Sequence, residues 1–331
     1  TLENGYLVCE EGVCAGTFPT LPEVYAQLPV IDCTGQLVFP GLTDLHVHAP
    51  QYAFRGLNMD QELLEWLQEN VFPEEARYAD LAYAKRAYRR FVQDEVHSPN
   101  TRLCVFGTIH RPATELLMDL LEDSGLVALV GKVNMDRDCP PALCEETSAS
   151  MTETREWLVE SQHKYKNVRP ILTPRFVPSC TDALLEALGG LAAETGLPVQ
   201  SHLSENAGEV ELVRRLCPES RFYGDAYDRH GLFGSYGKAI MAHCVLSTPA
   251  ETALMQARGV YIAHCPQSNV NLASGIAPVR RYLDQGLRLG LGSDVAGGVH
   301  LSILRAMADA IQVSKLRWRL LDSSLAPLTI P

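Results

Sequence analysis

His46 and His48 close the apolar run Leu42–His48 with a single valine between them. On a β-strand alternate side chains share a face, so the two imidazoles project together, and Pro50 keeps the strand from continuing far. Two neutral imidazoles on one face are half of a metal site. Taken alone, they read more readily as a pair on a solvated strand face. The other apolar runs of the chain decide between the readings. His202, followed three residues later by Glu205, ends one such run, His243 ends another, and Asp294 in Gly292-Ser293-Asp294 follows a third.

Together His46, His48, His202 and Asp294 offer three nitrogens and a carboxylate oxygen to a divalent ion, with a position left for water. Such an ion lowers the pKa of its water toward neutrality and supplies hydroxide at ordinary pH. Glu205 is placed to shuttle protons and not to ligate. His243 has two readings: a further metal ligand, or a neutral imidazole that orients the water. Arg175 and Phe176 end another run, and the apolar flanks of Arg175 argue against a surface ion pair. His264, in Ala263-His264-Cys265-Pro266, reads equally as a side chain that orients a ligand or as packing. His97, His163 and His230 sit in polar contexts and read as solvated. His110 and His300 lie near strand ends without a matching partner.

The elements that carry these residues recur in a regular rhythm. Strand-length, β-branched-rich runs span residues 42–48, 102–109, 126–135, 168–176, 198–203, 239–245, 260–265 and 287–293. Helix-patterned segments separate them, over 60–70 with 76–94, then 114–122, 151–163, 182–194, 207–216, 249–257, 277–285 and 301–313. Thr181 and Thr248 stand at cap positions, and Thr248-Pro249-Ala250-Glu251 has the form of a capping box with proline at the first helical position. Eight strands alternating with helices predict an α/β fold closed as a (β/α)8 TIM barrel. The competing open sheet usually shows G-x-G-x-x-G after its first strand, and that spacing is absent. In a barrel the residues above all fall at the C-terminal ends of strands, on one rim. Residues 1–38, broken by Gly5, Gly12, Gly16, Pro19, Pro22 and Gly35, read as part of a small β domain, and 39–331 as the barrel. Residues 136–150 form the longest irregular stretch, suited to a loop over the barrel mouth.

Composition excludes several classes. A net charge of −12 over 331 residues repels phosphate backbones and anionic membranes, so neither nucleic acid nor a membrane is expected as a partner. No apolar run is long enough to span a bilayer, and the N-terminus lacks the features of a signal peptide. The ten cysteines form no C-x-x-C pair, and Cys104, Cys244 and Cys265 lie in apolar runs, which points to a reducing, cytoplasmic setting. Cys139 and Cys144 remain an open possibility for other chemistry.

Pro40-Gly41-Leu42-Thr43-Asp44-Leu45-His46-Val47-His48, His202, His243 and Gly292-Ser293-Asp294 resemble the amidohydrolase superfamily. Within it, the stretches His48–Tyr52, Thr173–Cys180, Ser201–Asn206 and Ala263–Asn269 are similar to the guanine deaminase family. The resemblance runs from about residue 36 onward. It implies one zinc ion per chain, guanine as a free-base substrate, hydrolysis to xanthine and ammonia in purine catabolism or salvage, and a cytosolic homodimer. It implies His46, His48, His202 and Asp294 as zinc ligands, with His243 beside the metal and often counted among them. Glu205 would pass a proton from the attacking water to guanine N3, and Asp294 would help pass one to the departing amine. Gln51 and Arg175 would hydrogen-bond the base, Phe176 would pack on its ring, and His202 would also face it. Rejecting the wrong base requires groups that it leaves unpaired. The H-x-E and P-C-x-x-C signature of another zinc deaminase class is absent.

Two departures stand out. The resembled family completes a small β-sandwich from both chain ends, so the sandwich here is expected to be incomplete, the sequence stopping at Pro331 just after the helix that follows the eighth strand. Ser98-Pro99-Asn100-Thr101 stands where a glycine turn is more usual. The rival functions are a related amidohydrolase acting on another base or a triazine, and a catalytically silent scaffold relative, which would be expected to lack some of the ligands present here.

Overall fold

The computed structural model describes residues 2–329. By its internal contacts the chain divides into two compact units, one through Pro40 and one from Gly41. In the first, strands β1 (Tyr6–Glu10) and β2 (Val13–Phe18) pair antiparallel. Glu11 and Gly12, both at positive φ, make the two-residue turn that suits a twisted hairpin. The β structure expected through residue 38 ends at Phe18. Beyond it lie one short 3-10 turn, Glu23–Tyr25, and irregular chain in which Val30, Ile31, Leu37, Val38 and Phe39 are exposed.

The second unit is the barrel. Its strands are β3 (Leu42–His48), β4 (Asn100–Phe106), β5 with β6 (Val127–Gly131, Val133–Asn134), β7 with β8 (Val168–Pro170, Thr173–Pro174), β9 (Val199–Leu203), β10 (Ala239–His243), β11 (Tyr261–His264) and β12 (Arg288–Leu291). Every pairing among them is parallel. Two sets of hydrogen bonds close the ring. Leu172 N–H donates to Pro198 O and Gln200 N–H to Leu172 O, each at 2.9 Å. At the other seam Asp294 N–H reaches His46 O at 2.8 Å and His48 N–H reaches Val295 O at 3.1 Å.

Two of the expected continuous strands are interrupted, at Lys132 and at Ile171-Leu172. Pro170 and Pro174 have no N–H to donate, so that strand cannot keep an unbroken ladder. Each of the two strands therefore pairs in two short pieces. Gly131, at the first break, lies so close to Thr173 that a Cβ there would meet Oγ1 at 1.7 Å.

The strands bury both faces. On β10, Ile240 and Ala242 join a small cluster with Cys104, Ile171 and Ala263, while Ala239 and Met241 join the large core that takes in the helices. Helices follow each strand nearly as expected, with four differences. Residues 60–70 fold as a short α-helix, Leu63–Trp66, and a wide π turn, Leu67–Val71. Tyr223–Arg229 and Pro266–Asn271 are helices too short to show an apolar period. The last helix runs from Ile303 to Leu320, its final turns carrying Lys315, Arg317 and Arg319 in place of an apolar stripe. At Thr248 only half of the capping box forms. Its hydroxyl accepts Glu251 N–H at 3.2 Å, but the buried Glu251 carboxylate turns inward to Ser204 Oγ and Gly224 N–H. The complete box stands at Asn206 and Glu209 instead.

All ten cysteines are free. Cys139 and Cys144 approach to 2.6 Å between sulfurs, in the irregular stretch after β6.

Candidate active site

Each chemistry-bearing residue sits at the C-terminal end of a barrel strand. His46 and His48 end β3, His202 lies on β9 with Glu205 two residues past its end, His243 ends β10, and Asp294 follows β12. Turning the chain abruptly after each strand takes unusual backbone: Ser204, His243, Cys244 and Asp294 all have positive φ, from 47° to 71°. Gly292 is required because a Cβ there would lie 2.8 Å from His46 Cβ. Asp44 ties the seam, its Oδ1 accepting His46 N–H at 3.1 Å and Ser293 N–H at 3.0 Å.

The donor atoms converge. His48 Nε2 lies 3.2 Å from His46 Nε2 and 3.1 Å from His202 Nε2. Asp294 Oδ1 lies 3.1 Å from His46 Nε2 and 3.5 Å from His48 Nε2. Around an ion with bonds of ~2.0–2.1 Å, a tetrahedron has edges of about 3.3 Å. These four spacings are near such an edge, while His202 and Asp294 fall in two separate donor groups that share His46. The tautomer of His202 agrees: its Nδ1 faces Arg175 O at 2.6 Å, which leaves its Nε2 lone pair directed inward. Burial first, and then the neighbouring His46, hold His48 and His202 well below the usual imidazole range, in the neutral form that ligation needs. Among the described residues His46, His48 and His202, and His46, His243 and Asp294, form the groups able to hold a metal ion.

His243 stands slightly aside. Its Nδ1 faces Asn269 Oδ1 at 2.9 Å, while Nε2 points between Glu205 Oε2 at 3.4 Å and Asp294 Oδ2 at 3.7 Å without a protein hydrogen bond. Glu205 Oε1 accepts from Ser274 Oγ at 3.1 Å. Burial, and then the charge of Asp294, push the Glu205 carboxyl well above its ordinary range. Behind it Glu209 accepts Glu205 N–H at 2.9 Å and Tyr223 O–H at 2.7 Å, and burial raises it to about 7. His264 is buried without a hydrogen-bond partner on either ring nitrogen, and burial lowers it to about 3. His97, His163 and His300 are exposed and His110 and His230 half-buried, all apart from the site.

His48, His202, His243 and Asp294 of the donor cluster line one end of a partly open pocket. Gln51, Arg175 and Phe176 line it, as expected from the sequence. So do Leu63, Trp66, Leu67 and Leu272, which sequence reasoning did not single out. Glu75 was also missed. Its carboxylate is buried and binds Arg175 through both oxygens, Nη2 at 3.1 Å, while accepting from Gln51 Nε2 at 2.9 Å. Glu75 looks in the sequence like one acid of an exposed helical turn, Pro73-Glu74-Glu75. Only its pairing with Arg175, 100 residues on, reveals it. Trp66 and Leu63 could have been flagged as an apolar pair on the helix that follows Gln51.

The amidohydrolase family model matches residues 37–326. The chain is 42% identical to a probable guanine deaminase of Schizosaccharomyces pombe and 42% identical to the guanine deaminase of Mus musculus, each over 85% of its length. It spans 54% and 62% of those two proteins. A crystal structure of guanine deaminase from C. acetobutylicum, with guanine bound in its active site, superposes on 99% of this chain and 78% of that one, with a TM-score of 0.96 and 43% identity. No helix among the described residues is long and apolar enough to cross a membrane.

Proposed function

The chain belongs to the amidohydrolase family, and from that premise we propose that it hydrolyses guanine to xanthine and ammonia with one zinc ion per chain. The observation that carries this reading is that His48, His202, His243, Asp294 and Glu205 line one pocket with Gln51, Arg175 and Phe176. The names of the similar proteins support guanine as the base.

His46, His48, His202 and Asp294 would hold the ion, which when bound would make water a nucleophile at neutral pH. The chain's own residues do the rest. Glu205, its carboxyl raised by burial, carries a proton from water to N3 of the base. That transfer readies C2 for attack. His243, its Nδ1 facing Asn269, offers the Nε2 lone pair to the same water and holds it between Glu205 and Asp294. Asp294 assists the proton that leaves on ammonia. Arg175 and Gln51 hydrogen-bond the far edge of the base, Phe176 packs on its ring, and His202, edge-on to Phe176, closes the side toward the metal. Residues through 38 read as the N-terminal part of a small β domain and 39–331 as the catalytic barrel. The buried free cysteines support a reducing, cytoplasmic setting, and a homodimer is the assembly that this reading carries with it.

The test is ammonia release from zinc-loaded protein offered guanine, 8-oxoguanine, adenine and cytosine in parallel, with Glu205→Gln as control. Release from guanine alone, abolished in the control, is the expected result. Release from another base would keep the metal chemistry and overturn the roles of Gln51 and Arg175. Silence on every base with zinc bound would leave a scaffold relative.

A further inference from the structure

One polar group of the site reaches no reacting atom and yet grips both side chains that read the base. Glu75 Oε1 accepts from Gln51 Nε2 at 2.9 Å and from Arg175 Nη2 at 3.1 Å, and its Oε2 accepts from Arg175 Nη1. At the other end of the amide, Gln51 Oε1 accepts Ala296 N–H at 3.3 Å. Gln51, Glu75 and Arg175 are exposed by only 3%, 2% and 2%, so these contacts are made with little competition from bulk water.

The two contacts of Gln51 determine which end of its amide is which. A carboxylate only accepts hydrogen bonds and a backbone N–H only donates them. Turning the amide over would set oxygen against carboxylate and N–H against N–H, in a buried site where unmet polar groups are heavily penalised. In its locked state Gln51 keeps one N–H and one oxygen lone pair for a ligand. Guanine complements that pair with O6 as acceptor and N1–H as donor. A 6-amino purine presents the opposite order, an amino donor beside a bare N1. A glutamine free to turn over would read both patterns equally well.

We propose that Glu75 is the residue that sets selectivity for 6-oxo over 6-amino purines, by locking the Gln51 amide and the Arg175 guanidinium in one orientation. The proposal rests on the guanine reading above. Glu75 acts through Gln51 and Arg175 and is a positioning residue.

The experiment compares ammonia release from guanine and 2,6-diaminopurine by the zinc-loaded full chain. The two bases carry the same 2-amino leaving group and differ at position 6 and N1. The original protein is expected to favour guanine in kcat/KM by on the order of 10²-fold or more. Glu75→Gln, which supplies a donor as well as an acceptor beside Gln51, is expected to narrow that ratio about tenfold or more, mainly through KM for guanine. Glu75→Asp keeps the charge opposite Arg175 while withdrawing from Gln51, and should narrow it in the same direction if the Gln variant fails to fold. A proportional loss on both bases overturns the proposal. A readout without any variant is inhibition of the original protein by hypoxanthine and adenine. Hypoxanthine should inhibit at least about tenfold more tightly, and equal inhibition also overturns the proposal. Failure of the original protein to act on guanine at all would instead overturn the parent reading.

Discussion

The two ends of the pocket are built by opposite means. At the metal corner His46, His48, His202, His243 and Asp294 come from four separate regions of the chain, each at the end of a barrel strand. At the opposite wall Gln51, Leu63, Trp66 and Leu67 come from a single excursion between β3 and the helix Leu81–Val96, joined by Arg175 and Phe176 and backed by Glu75 from the same excursion. The corner inherits its geometry from the hydrogen-bonded ring, which cannot shift one ligand without shifting a strand. The wall depends on what that one excursion happens to carry. The electrostatics differ as well. The corner keeps carboxyls that burial drives toward the protonated form, Glu205 and Glu209, whereas the wall buries its carboxylate, Glu75, fully paired with a guanidinium. A barrel can therefore keep one reaction and change its substrate by rewriting a single segment.

Variants that separate rate from fold test this contrast. Glu205→Gln at the corner should lower ammonia release by about 10²–10⁴-fold with zinc content and melting temperature preserved, as measured by metal analysis and calorimetry. A large loss of stability there would erase the distinction. Arg175→Met at the wall should behave in the reverse sense. It strands the buried Glu75 carboxylate and is expected to destabilise the fold by about 3–5 kcal/mol, seen as a lower denaturant midpoint. An unchanged midpoint would mean that the wall is not held by its ion pair.

The pH dependence of stability sharpens the corner. Glu209 holds its proton to about 7 in the folded chain, against an ordinary value of 4.5. Between those values the folded form binds more protons than the unfolded one, so this contribution is greatest below 4.5, fades as pH rises, and is gone above about 7. The expected span is on the order of 3 kcal/mol, and Glu209→Gln should flatten it in melts recorded from pH 4.5 to 7. The smallest effect is expected at Ala273, an exposed residue at φ +54 beside the Ser274 that holds Glu205. Ala273→Gly should raise stability by about 0.5 kcal/mol with little change in rate, and a loss would show that the backbone there is not strained.

The same contrast explains what could be read from the sequence. Strand ends are marked by an apolar run that stops at a polar residue, so the residues that meet at the corner could be picked out, and so could eight strand positions, though not the breaks at Lys132 and Ile171-Leu172 or the short helices Tyr223–Arg229 and Pro266–Asn271. Arg175 and Phe176 showed as a strand end, and Gln51 could be placed only through its likeness to a known family. Glu75 could not be placed at all, because its role lies in a contact with a residue 100 positions away. Thr248 misled for a related reason. Its box has the right letters, but Glu251 has better partners inside the fold, Ser204 and Gly224. Local pattern predicts local partners, and a buried carboxylate goes where its unmet donors are.

The seam between β3 and β12 gives the order of synthesis a bearing on the site. Asp44 and Ser293, hydrogen-bonded across it, are 249 residues apart. His46 and His48 leave the ribosome early, then wait for the strand that brings Asp294, roughly tens of seconds at usual elongation rates. For that interval the histidines have a neighbouring strand on one side only. Capture of an ion by all four donors would thus coincide with closure of the ring, and a nascent chain released short of Asp294 would keep the imidazoles without that carboxylate.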